Sequence, residues 1–449
     1  MTAPPPAQVL EREGIPAATA VPGRAHGPGR APGRGWLPRE RAMAVAAAAR
    51  REWVAAVFGG SAVFAAVTAL TSSNPPERLW GGCAAVSYAV AAVTAAVVRR
   101  RGVSLAVLIS LSGGLAVPLA WMAAAGMAQP EVAVIIRSAA MLVHHGTPYA
   151  SPAALAAAHT WRAYDPYLPA LIAFGVPRVF GAGLLTDPRL WFGLTFVASF
   201  GAAVRAAGVS RPVWWTMLVT ASPVVALPLA AGGDDLPVLG LMCLGLALAG
   251  LASRGRWRWA AAAGLALGLA AAMKATAWPA VAVVAVLLAA REGWRAAWWF
   301  AAAVLGAGLV TDGPTVAAHP AAAVANTVLY PLGLTKAVSP AASLLPGHML
   351  AGTGGWGHWT ALALLLLAAA GVGAWLIARP PKDARAAAWR LALGLALFFV
   401  LAPASRVGYF VYPLGLAGWL LARSPELPGD LLSADPEPQC RRLAVQVGR

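Results

Sequence analysis

The sequence predicts an all-α polytopic membrane protein, and three observations carry that expectation. Of its 449 residues 59% are hydrophobic and only 11% charged. The mean hydropathy is +0.67. Apolar runs of a length suited to crossing a bilayer recur along the chain, without the polar alternation of barrel strands, and an unpaired backbone in lipid must close its hydrogen bonds within a helix.

Twelve spans are expected, near residues 53–71, 80–98, 103–126, 189–205, 212–230, 236–252, 259–273, 276–290, 296–311, 359–378, 391–402 and 407–422. Residues 51–423 then form one transmembrane domain with large outer loops at 127–188 and 312–358. Before it lies a basic tail, 1–50, rich in Pro, Gly, Ala and Arg, too poor in apolar runs to bury surface and expected to be disordered. It does not have the pattern of a cleavable signal peptide. A short C-terminal tail, 424–449, closes the chain.

One further apolar run, Leu168 to Leu185, is interrupted by Pro169, Gly175 and Pro177 and carries Arg178. If it stays at the outer surface as a juxtamembrane helix, the segments assigned inside hold 26 of the 34 Lys and Arg, which satisfies the positive-inside bias. If it crosses, Arg205, Arg211, Arg254, Arg256 and Arg258 are thrown outward. The first alternative is expected, giving a multi-pass protein of the plasma membrane with both termini cytoplasmic. The net charge of +17 is then chiefly a topology signal, because the basic residues are scattered through short loops and tails rather than gathered with aromatic platforms; no nucleic-acid partner is expected. Of three cysteines, Cys83 and Cys243 fall inside expected spans and Cys440 in the tail, so no disulfide framework is expected.

The same topology puts six of the seven histidines outside, with Glu131, Asp165, Asp187, Asp234, Asp235 and Asp312. The first outer loop opens with an interfacial helix carrying Glu131 and Arg137, which Gly146 and Pro148 end. Tyr149, Tyr164 and Tyr167 follow, together with Arg162. Each ring taken singly reads as a headgroup-depth anchor, yet the mixture of cations, carboxylates and phenols also suits an anionic, hydroxylated ligand. Asp234 and Asp235 stand side by side at the outer end of a span, where adjacent like charges need a partner. Asp235 alone could serve as the N-cap of the helix begun by Leu236 and Pro237. Lys274 is the only ionisable group between Trp259 and Ala290; it could snorkel to the surface or bind phosphate. Arg406 lies at another outer span end, with Tyr409 and Tyr412 one helical turn apart as rings suited to anchoring. The loop 312–358 carries Asn326, Lys336 and His348 and is long enough to act as a lid. His144 and His145 are neighbours that point apart on a helix, so no metal site is expected.

These residues resemble the GT-C superfamily of polyprenol-phosphate-sugar-dependent glycosyltransferases, in particular the family-87 mannosyltransferases. The resemblance is carried by Glu131, Gly146-Thr147-Pro148-Tyr149, Tyr164-Asp165-Pro166-Tyr167-Leu168-Pro169, Asp187-Pro188-Arg189, Asp234-Asp235, Lys274-Ala275-Thr276-Ala277-Trp278-Pro279, and Pro403-Ala404-Ser405-Arg406 with Tyr409. It extends over most of residues 129–422. It departs from the family in having Glu rather than Asp at 131, and three spans rather than one before the outer loop.

What the resemblance implies is transfer of a hexose, mannose by analogy, from a polyprenyl-phosphate donor to a glycan or glycolipid acceptor at the extracytoplasmic face. Glu131 is the implied base, with Asp165 the alternative and Asp234 or Asp235 positioning the acceptor or sharing the role. Arg137, Arg162, Lys274 and Arg406 would hold the phosphate, and His144, His145, Tyr149, Tyr164, Tyr167, Lys336, His348 and Tyr409 would line the substrate site. No cofactor is required, although an acidic pair could bind a divalent cation. The rival reading is a transporter or lipid flippase, which calls for charged groups along a midplane pathway and repeated, broken helices; a noncatalytic scaffold is a third.

Overall fold

The computed structural model describes residues 39–98, 101–252, 256–337, 341 and 343–423, with side chains from residue 51 onward. The Cys440 thiol, the C-terminal tail and residues 1–38 lie outside the described residues. By its contacts the chain divides at residue 46. Of the first unit only the backbone of 39–46 is described, and it is helical. The second unit, from residue 47, holds the apolar cores and the charged residues between them.

Among the described residues the protein is helical without a strand. Every one of the twelve expected segments is a helix or a closely broken pair of helices. Six are long and apolar enough to cross a membrane on those grounds alone: Arg51–Thr71, Pro75–Val97, Gly102–Ala124, Ala275–Glu292, Gly355–Ala378 and Ala384–Leu401. The bent pair Pro212–Ala221 and Pro223–Ala231, folded by 66°, makes a seventh if taken as one span. Leu236–Leu251 and Val407–Ala422 are shorter apolar helices. Pro188–Ala206, Trp257–Ala271 and Trp294–Thr311 complete the set. This is the architecture of a helical membrane protein.

Local chemistry accounts for the breaks. Pro223 cannot donate a backbone hydrogen bond and forces Ser222 into an extended conformation, so the helix turns there. The bend is supported from outside: the buried Tyr88 hydroxyl donates to the Ala221 carbonyl at 2.7 Å. A single π-turn, Ser112–Ala116, interrupts the Gly102–Ala124 helix, and the fully buried Trp80 donates its indole N–H to Gly114 O at 2.8 Å. The run expected as one juxtamembrane helix between 168 and 185 is shorter, Pro169–Val179, and Gly183 at φ +123 lies in the turn beyond it.

Among the described residues two large apolar cores result, beside two small clusters around Tyr164 and Tyr149. The larger joins helices 188–206, 236–251, 257–271, 275–292, 384–401 and 407–422; the smaller joins the first three long helices to the bent pair. Helices 257–271 and 294–311 approach backbone to backbone through Gly264 and Gly268, where a Cβ would meet Phe300 O at 2.3 Å and Val304 Cα at 2.9 Å. Small residues four apart permit such contact between helices in lipid. Outward surfaces are apolar, and the exposed indoles of Trp121, Trp191, Trp257, Trp278, Trp294, Trp356 and Trp359 all lie within about one helical turn of a helix end. That is the pattern of headgroup-depth rings.

Candidate functional site

The acidic and basic residues singled out in the sequence come from separate turns, and four of those turns meet. Glu131 is the second residue of helix Pro130–His145, where Pro130 suits the first position and a carboxylate is favoured by the helix dipole. Asp234 and Asp235 follow Gly232, whose φ of +119 ends the second half of the bent pair. Lys274 occupies an extended residue between Trp257–Ala271 and the turn 275–277. Arg406, also extended, precedes the turn 407–410.

Lys274 Nζ donates to Asp234 Oδ1 and to Asp235 Oδ1, both at 2.6 Å. Tyr412 donates its hydroxyl to the same Asp235 oxygen at 2.8 Å and accepts from Thr276 at 2.9 Å. Lys274 is therefore buried and paired, not snorkelled. Asp235 stands at the cap position of Leu236–Leu251 but its side chain caps nothing; both of its partners are side chains from other segments. Glu131 Oε1 is bound by the Arg406 guanidinium. Tyr167 lies between the two pairs. Its ring is 5.0 Å from Lys274 Nζ, and after burial the charges of Asp234, Glu131 and Asp235 push its phenol well above the ordinary value. Tyr409, in the turn that follows Arg406, packs its ring on Phe399 at 5.4 Å.

Asp165 adjoins this centre. It is 1% exposed, and burial first, then the Asp234 charge, raises its carboxyl to about 7 against the opposing effects of Ser138, the Tyr167 amide and Arg137. Its Oδ1 accepts from Tyr167 N at 2.9 Å. Burial likewise raises Asp234 to about 6, Lys274 pulling the other way. For Lys274 burial lowers the ammonium value, but Asp234 and Asp235 outweigh it and the net direction is upward. Three buried carboxylate oxygens, Glu131 Oε2, Asp165 Oδ2 and Asp234 Oδ2, have no hydrogen-bond partner. Unmet acceptors inside a low-dielectric site are costly.

The remaining sequence candidates separate into two groups. Some shape the loop that carries Asp165 and Tyr167. Arg137 donates to the carbonyls of Arg162 and Tyr164, Tyr149 donates to Tyr167 O at 2.8 Å, and Tyr164 stacks on Tyr330 at 4.5 Å. Arg162 lies over the Trp161 ring at 5.4 Å. His348 Nδ1 is 2.9 Å from Pro403 O, in the turn that leads to Arg406. Others lie apart: His144 and His145 are exposed at the far end of the Glu131 helix, about 20 Å along its axis from Glu131, and Lys336 is exposed in the later loop.

Four contributors were not singled out for the site in the sequence. Tyr412 and Thr276 extend the Lys274 network through the hydroxyl pair that ends on Asp235. Asn326, fully buried in the π-turn Ala325–Leu329, accepts from Asp165 N at 2.9 Å and donates to Ala150 O and Ala322 O at 3.1 and 2.8 Å. Asp312 accepts from Ala170 N at 3.3 Å, and burial raises its carboxyl to about 6. A polar residue in an Ala-rich run was the available signal for Asn326. Arg189 acts as a structural tie. It bonds Asp187 at 2.9 and 2.7 Å and the carbonyls of Met127 and Ala230 at 2.9 and 3.0 Å, locking the turns on either side of the centre.

Among the described residues no three His, Cys, Asp or Glu side chains converge as metal ligands. Cavities of about 350 and 400 Å³ occur among the described residues, and no residue of the charged centre lines either. Fold and site together define a helical membrane protein with a buried carboxylate and cation centre near its helix ends. No family model, curated protein or solved structure matches the chain.

Proposed function

We propose that this protein is a membrane glycosyltransferase of GT-C type, moving a hexose from a polyprenyl-phosphate donor to an acceptor hydroxyl at the extracytoplasmic face. The observation that carries the reading is the meeting of Glu131–Arg406 with Asp234–Lys274–Asp235 around Tyr167, from turns that the sequence spreads over 275 residues. Such a centre offers what the reaction needs: a carboxylate to accept a proton and cations to receive a phosphate.

In the proposed step the acceptor oxygen attacks the anomeric carbon and its proton passes to Glu131, or to Asp165. The bond from that carbon to the phosphate oxygen breaks, and its electron pair leaves with the polyprenyl phosphate, which Arg406 and Lys274 stabilise. Arg406, whose side chain is 34% exposed against 2% for Asp234, is the member best placed to meet an entering ligand. The hexose is proposed as mannose only by the resemblance. The twelve helices are proposed to span the plasma membrane with both termini cytoplasmic; their positions and the arginine-rich turns at alternate ends support that arrangement.

Membranes containing the protein, given labelled polyprenyl-phosphate sugars, should transfer label from the lipid to an acceptor. Glu131→Gln or Asp165→Asn should lower transfer by about 100-fold or more, the scale of general-base catalysis, without loss of folded protein. Full activity in both variants refutes the mechanism. The 66° bend and the interrupted helix at Lys274 speak for the rival transporter, which would move the lipid with its sugar bond intact.

A further inference from the structure

No residue of the charged centre lines the cavity of about 400 Å³, and most of its lining residues are apolar. Ser104, Val107 and Leu108 line one side, Arg211, Trp214 and Met217 the other. On each helix these residues are three or four apart, so each wall is one helical stripe and the groove runs along both helices. Leu108 on one wall and Val213 beside the other are exposed, in surfaces the membrane reading gives to lipid. The floor belongs to the smaller core, against which Trp214 and Met217 are partly buried.

Both walls begin at the groove. Helix Gly102–Leu111 starts after Arg101 and helix Pro212–Ala221 after Arg211, and both arginines have left-handed backbones, φ 58 and 59. Two positive helix ends therefore stand at the same end of an apolar trough, and Arg211 is the arginine among its lining residues. Arg99 and Arg100 precede them in sequence, and Arg205 ends the preceding helix. An apolar trough with a cationic head is complementary to one occupant of a bilayer, a phospholipid with an anionic headgroup.

We propose that this groove binds an anionic phospholipid of the surrounding leaflet, its acyl chain along Val107, Leu108, Trp214 and Met217 and its phosphate at Arg211. The proposal does not rest on the transferase reading. Bound there, the lipid spans the junction between the first three long helices and the bent pair whose far end carries Asp234.

The test uses the full chain in phosphatidylcholine vesicles containing a small fraction of either phosphatidylglycerol or phosphatidylcholine brominated on the acyl chains. Quenching of Trp214 is obtained as the difference between the wild type and Trp214→Phe. Brominated phosphatidylglycerol should quench Trp214 several-fold more than brominated phosphatidylcholine. Arg211→Asn removes the charge with a side chain that tolerates the left-handed backbone, and should reduce the preference about fivefold, whereas Arg211→Lys should retain it. Equal quenching by the two lipids in the wild type overturns the proposal, as does a wild-type preference in Arg211→Asn.

Discussion

Replacing Lys274 by Met removes the one cation that both Asp234 and Asp235 bind, while keeping a side chain of similar length. In the native centre Nζ serves two carboxylates at 2.6 Å, and the Asp234 side chain is 2% exposed. Asp235 retains the Tyr412 hydroxyl, whereas Asp234, whose Oδ2 is already without a partner, loses its lysine donor. Breaking a buried pair from one side costs about 3 to 5 kcal/mol, because the other charge stays behind.

The pH dependence separates this cause from lost packing. Asp234 is raised to about 6 even with the lysine present, and without it rises further. The deficit of Lys274→Met should therefore be largest above neutrality and shrink as pH falls and the carboxylates protonate. Lys274 is held above its ordinary value of 10.5, so in the wild type its contribution is complete below that value and declines only at higher, alkaline pH. Equilibrium unfolding of the full chain in detergent, wild type against Lys274→Met, measures the difference. Adding Asp234→Asn and Asp235→Asn to the same chain should recover most of it. A loss under about 1 kcal/mol, or one independent of pH, refutes the account, since the charges would then be solvated in a way the geometry denies.

Asp165→Asn should reverse the usual sign for a carboxylate. Its native value is raised from 3.8 to about 7, so the carboxylic acid favours folding below the lower figure and that contribution is lost as pH rises through the upper one. At about 1.36 kcal/mol per unit, the wild type gives up at most about 4 kcal/mol across that window, and the Asn variant does not. Unfolding measured on both sides of the window should show the variant gaining relative stability with pH; parallel curves would contradict it. Asn326→Ala leaves the buried Asp165 N–H without its acceptor and should cost about 1 to 3 kcal/mol, with faster hydrogen exchange at the 164–168 segment than elsewhere in the loop. Glu131→Gln should lose sugar transfer while still folding, its unfolding midpoint falling only by the small amount that the part-exposed Arg406 pair contributes.

The helices were legible because lipid leaves the chain little choice: an apolar run must satisfy its own backbone, and Pro, Gly and Arg mark where it stops. Their ends were less so. The helix 384–401 begins seven residues before the expected 391, since Asp383 caps it by accepting from Ala386 N at 2.7 Å through a polar, Ala-rich first turn that hydropathy does not register. The charged residues of the centre were legible one by one, but not their partners. Nothing local links Lys274 to Asp234, forty positions away, or Arg406 to Glu131. For Asp235 the local rule offered a helix cap, and the Lys274 ammonium and the Tyr412 hydroxyl took the side chain instead. Tyr412 read as an anchor because a phenol at a span end usually is one; here the hydroxyl turns inward to a buried carboxylate. Arg137 had the composition of a phosphate ligand, but two carbonyls of its own loop use its guanidinium.

The hydroxyl that Tyr88 lends to Ala221 has a consequence for how this chain could be shortened. A carbonyl freed by the proline bend is closed off by a helix more than 130 positions earlier, and the segment below that bend ends at the aspartate pair. The opening helices are thus a brace for the geometry of a remote charge cluster, and not an appendage. Trimming them would expose a naked acceptor at the elbow, invite it to straighten, and carry Asp234 and Asp235 away from the lysine that neutralises them.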